Sequence, residues 1–117
     1  MEGQASGVAG LTGAEQAALR EFLTRLRALP GIEIRDVRLF GSRARGEGHE
    51  YSDVDVAVIL RDHAREHRHR IYDLAFDAGL QHGVVLAPFV LDEARLAQLR
   101  SRERRIAAIL DTEGISL

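Results

Sequence analysis

The sequence predicts a small domain of mixed α/β (α+β) layers, and three observations carry that prediction. Apolar residues recur at helical intervals in two long stretches and again near the C-terminus. Between them lie stretches of strand character, some alternating and some continuously apolar. A length of 117 residues suits one hydrophobic core.

The elements follow in order. Thr12 and Glu15 have capping-box spacing, and Leu19, Phe22, Leu23, Leu26 and Leu29 continue a helix until Pro30 and Gly31 stop it. "IEIRDVRLF" alternates apolar and polar residues and reads as a strand over 32–40, followed by a polar loop punctuated by glycine. "SDVDVAVIL" reads as a second strand over 52–60. A helix over 62–81 carries Ile71, Leu74, Ala75 and Ala78 on one face, with Gly83 as its terminator. "VVLAPFVL" is a third strand, and Asp92 caps a final helical stretch interrupted near Ser101. Residues 1–10 read as a flexible N-terminus and residues 11–117 as the single domain.

Composition narrows the chemistry. The chain is 45% hydrophobic and 29% charged with a formal net charge of −2, which disfavours general binding to nucleic acid. It has no cysteine, which rules out disulfides and thiolate metal sites. All sixteen Lys+Arg residues are arginine, so Schiff-base chemistry is excluded and forked guanidinium contacts remain. No apolar run approaches a membrane span, and "MEGQASGVAG" lacks the order of a signal peptide, so a cytoplasmic location is expected.

The chemistry concentrates in "LFGSRARGEGHEYSDVDVAVIL". On a strand, Asp53 and Asp55 project from the same face, where two carboxylates are costly unless a cation lies between them. Magnesium suits such hard oxygen ligands, with substrate phosphates and water completing its shell. Gly41 lets the backbone approach a ligand, Ser42 offers a hydroxyl and an amide to phosphate oxygens, and Arg43 and Arg45 add forked donors.

Gly41-Ser42, ten intervening residues and then Asp53-Val54-Asp55 resembles the signature of the minimal nucleotidyltransferases, a branch of the DNA polymerase β-like nucleotidyltransferase superfamily. The strand contexts "VRLFGSRARG" and "YSDVDVAVIL" are similar too, and "GVVLAPFVLDEARL" and "ILDTEGISL" extend the likeness over most of the chain. The resemblance implies a small mixed sheet flanked by helices. It also implies that Gly41, Ser42 and Arg45 hold the triphosphate of ATP or another NTP, and that Asp53 and Asp55 bind catalytic Mg2+. A nucleotidyl group, AMP in the simplest case, would pass to a hydroxyl acceptor. Small proteins of this type resemble antitoxins paired with a helical HEPN-domain protein, which makes such a protein the expected partner and leaves oligomeric state open.

The sequence also departs from that pattern. The family's third acid falls at Val85, inside an apolar strand, and Asp92 lies at the far end. That substitution keeps a second reading alive, a catalytically impaired module that acts by binding its partner. Other features read as ordinary surface: His63 and His67 on a polar helix face, and Arg100, Arg102, Arg104 and Arg105 at a solvated helix end. Tyr51 stands where it can stack on a base or pack on its own loop.

Overall fold

Thr12 starts the first helix as the capping-box spacing requires. In the computed structural model, which describes residues 10–45, 53–102 and 104–117, the Glu15 N–H donates to Thr12 Oγ1 at 3.1 Å and the Thr12 N–H donates to Glu15 Oε1 at 2.8 Å. Helix α1, Gly13–Arg27, then buries Ala18, Leu19, Phe22 and Leu26. Strands β1, Ile34–Phe40, and β2, Val54–Leu60, follow. Helix α2, Ala64–His82, leads to β3, Leu86–Asp92. Helices α3, Glu93–Ser101, and α4, Arg105–Glu113, precede a two-residue strand β4, Ile115–Ser116.

The four strands are ordered β3-β2-β1-β4. β1 runs antiparallel to β2 and β4, whereas β2 and β3 are parallel and joined through α2. β2 is therefore central and covered on both sides. Val54, Val56, Val58 and Leu60 pack in a core with α1 and α2, while Ala57 and Ile59 pack in a second core with α3 and α4. This explains why "VAVIL" is continuously apolar rather than alternating.

The predicted elements are present with boundaries moved by a residue or two, and the break near Ser101 separates α3 from α4. Gly83 adopts the left-handed conformation, φ 67°, and its N–H donates to the Gly79 and Leu80 carbonyls, ending α2 as expected. β4 was not anticipated: two residues show no period, and what holds them is pairing with Arg38 and Leu39. The expected flexibility of residues 1–10 concerns residues 1–9 that lie outside the described ones, as do Tyr51 and the Ser52 start of β2. Among the described residues, no helix is long and apolar enough to cross a membrane.

Candidate active site

The antiparallel pairing of β1 with β2 brings the end of one strand against the start of the other. Phe40 is in register with Asp55, so the next residue, Gly41, turns directly beside that carboxylate. Gly41 has φ +81°, and a Cβ there would stand 2.3 Å from Asp55 Oδ2. Glycine is thus required twice, once by conformation and once by the acid it accommodates. The Gly41 carbonyl accepts from the Ala44 N–H at 3.1 Å and from the Arg45 N–H at 3.3 Å, closing a single helical turn that contains half-buried Ser42.

Asp53 is exposed just before β2, and Asp55 is half-buried within it. Their two-residue spacing directs both to one side of the sheet. Burial, and secondarily the neighbouring Asp53, hold the Asp55 carboxyl above its usual range. A glycine cradle beside paired acids, one of them disfavoured as a bare anion, fits a divalent cation. Asp53 and Asp55 would hold Mg2+ here.

The two arginines of the turn diverge. Arg43 is buried, its guanidinium paired with Glu15 Oε1 and donating to the Gly10 carbonyl at 3.2 Å. Arg43, expected to serve phosphate, makes these contacts inward and ties the start of α1 to the turn. Arg45 is exposed, with Nη1 3.1 Å from Glu113 Oε1 at the end of α4. It remains at the rim, where an anionic ligand can compete with Glu113. Glu15 and Glu113 were not recognised as supports. The capping box marked Glu15, but its pairing with a residue 28 positions away left no local signal.

The strand register also shows what stands beside Asp55 on β3. Asp55 pairs with Ala87 in the parallel ladder, while the Val85 carbonyl accepts from the Val54 N–H at 2.9 Å. Ala87 is thus the cross-strand neighbour of Asp55, and Val85 stands two residues earlier, 60% exposed. Neither carries a carboxylate. Asp92 pairs with Leu60 at the opposite end of β2 and caps α3, accepting from the Arg95 N–H at 3.0 Å.

Two of the remaining candidates, His63 and Arg100, have structural partners. His63 Nδ1 lies 2.8 Å from Glu66 Oε2 at the start of α2, and no group of three metal-ligating side chains occurs among the described residues. Arg100 donates to both carboxylate oxygens of Asp111, at 2.9 and 2.6 Å, joining α3 to α4.

Comparison with known proteins identifies the family. Residues 19–112 match the model of the nucleotidyltransferase domain. The chain is similar to two proteins of Methanocaldococcus jannaschii. One, named "Putative protein adenylyltransferase MJ1305", is 36% identical over 95 residues, covering 79% of this chain and 64% of that protein. The other, "Putative protein adenylyltransferase MJ0604", is 34% identical over 79 residues, covering 68% of this chain and 75% of that protein. The chain thus spans less than two thirds of the length of the first relative. No solved structure gives a significant match. With the family model covering most of its length, this chain belongs to the nucleotidyltransferase domain family.

Proposed function

We propose that the chain transfers AMP from ATP to a hydroxyl on a protein. The observation that carries this reading is the contact of Gly41 with the Asp55 carboxylate, which joins a phosphate-type turn to a pair of acids. The names of the two relatives support a protein acceptor and adenylyl as the group moved. In the reaction, the acceptor oxygen bonds to the α-phosphorus as the bond from that phosphorus to the bridging oxygen breaks. Pyrophosphate leaves, and the hydroxyl proton passes to solvent.

Asp53 and Asp55 bind and place the Mg2+ nucleotide, and the Ser42 hydroxyl and Arg45 guanidinium orient its phosphates. Bound Mg2+ supplies charge neutralisation on the phosphate oxygens. The acceptor in this reading belongs to a helical HEPN-domain protein, with the two forming a toxin–antitoxin pair. A second reading is favoured by the apolar Ala87 beside Asp55: a module that binds Mg2+ nucleotide and its partner without effective transfer.

ATP labelled at the α-phosphate, incubated with Mg2+ and the HEPN-domain partner, separates the two. Label on the partner, lost with Asp55→Asn, supports the transferase. Nucleotide binding without labelling, followed by a gain of transfer in Ala87→Asp, supports the impaired module. No nucleotide binding at all contradicts both.

A further inference from the structure

The surface between the end of α2 and the start of β3 turns apolar. On α2 the side chains of Tyr72, Phe76 and Leu80 recur every four residues and stand 41%, 67% and 68% exposed, and Val85 adds a fourth exposed apolar side chain. Phe76, Gly79, Leu80, Gly83 and Val85 line a groove of about 320 Å3. Glycine lets the chain fold back against the end of α2 to form one wall: the Val84 N–H donates to the Gly79 carbonyl at 2.9 Å, and a Cβ on Gly79 would lie 2.3 Å from the Val84 oxygen. Contiguous apolar surface of this kind marks an interaction site.

Position and charge select the occupant. The Val85 carbonyl bonds to the Val54 N–H, so this end of the groove adjoins the residue that follows Asp53. Beside Phe76 and Leu80 the side chains of fixed charge on α2 are Asp73 and Asp77, both exposed, while Arg68 and Arg95 stand with Tyr72 at the other end of the row. An acidic rim repels an anionic lipid surface and complements a protein segment whose apolar row is flanked by Arg or Lys.

Resting on the transferase reading above, we infer that this groove docks the acceptor protein. An apolar, basic-flanked segment seats over Phe76, Leu80 and Val85 and carries its hydroxyl toward Asp53 and Asp55. There the acceptor oxygen bonds to the α-phosphorus of ATP, pyrophosphate departs and the proton goes to solvent. The groove supplies binding alone, which brings the reacting groups together.

The test uses the full chain and two synthetic, fluorescein-labelled amphipathic peptides with the same Leu/Phe row and one tyrosine, flanked either by arginines or by glutamates. Fluorescence anisotropy should show the arginine peptide binding about tenfold or more tighter than the glutamate peptide. Phe76→Ser with Leu80→Ser should weaken it at least about tenfold, leaving Mg-ATP affinity by calorimetry unchanged. Asp73→Asn with Asp77→Asn should shrink the preference between the peptides. Equal binding of both peptides, or unaltered binding by the Phe76/Leu80 variant, overturns the proposal. So does sedimentation showing a dimer that Phe76→Ser dissociates, because the groove is then an interface between two copies. Absent Mg-ATP binding by the unmodified chain sinks the transferase reading and the acceptor role with it, while the peptide titration still decides whether the groove docks a basic-flanked segment.

Discussion

Arg43 and Arg45 stand two residues apart in one turn, yet one faces the core and the other the rim. Arg43 is 5% exposed and meets Glu15, which also receives the Thr12 N–H of the capping box. Arg45 meets Glu113 where both side chains are 41% exposed. A buried pair cannot lose one member without stranding the other, whereas an exposed pair contributes about 0–1 kcal/mol. The same residue type thus anchors the turn at one position and leaves a cation at the surface at the other. Nucleotide phosphates should compete with Glu113 for Arg45 and leave the Arg43 pair intact.

The largest effect that can break this comparison is on stability. Arg43→Ala should destabilise the domain by about 3–5 kcal/mol, because Glu15 is left buried without its counter-charge. A denaturant midpoint close to that of the parent would show that Arg43 is no anchor. Next comes Gly41→Ala, which forces φ +81° on an L side chain and drives a methyl into Asp55. It should cost about 1–3 kcal/mol and weaken Mg2+-nucleotide binding disproportionately, since the displaced carboxylate is the one proposed to hold the metal. Calorimetry alongside a melting curve separates the two losses.

Arg45→Ala should leave stability within about 1 kcal/mol and reduce nucleotide affinity about tenfold to hundredfold, as expected for one lost charged hydrogen bond. Equal affinity in parent and variant would remove Arg45 from the phosphate site. The smallest effect is electrostatic. Because the Asp55 carboxyl is held above its ordinary 3.8, its contribution to metal-free stability is fully present below that value and is lost as pH rises through the higher folded value. Asp55→Asn should flatten this part of the pH–stability profile, and Mg2+ should offset the loss in the parent but not in the variant. A profile unchanged by the substitution would contradict the burial of Asp55.

These contrasts also mark what the chain discloses before it folds. The Gly41 turn and the alternation of Asp53 with Asp55 are legible because both patterns are local: a turn glycine and a two-residue spacing are printed in consecutive letters. The helices were legible for the same reason, through their 3.6-residue period and through Thr12, Gly83 and Asp92 at their ends. Arg43 and Arg45 look identical in sequence, since their fates depend on Glu15 and Glu113, 28 and 68 residues away. That Ala87 stands beside Asp55, two residues beyond Val85, is not legible, because the parallel register of β3 on β2 has no signature within either strand. β4 exists through its partner strand alone.

In the proposed site, Asp53 and Asp55 hold a metal–nucleotide complex against the Gly41 turn. Calorimetric titration of ATP with and without Mg2+, into the parent and into the Asp53→Asn, Asp55→Asn double variant, tests it most directly. The parent should bind ATP in a Mg2+-dependent way and the variant should not, with circular dichroism showing both folded. Equally tight Mg-ATP binding by the folded double variant would contradict it.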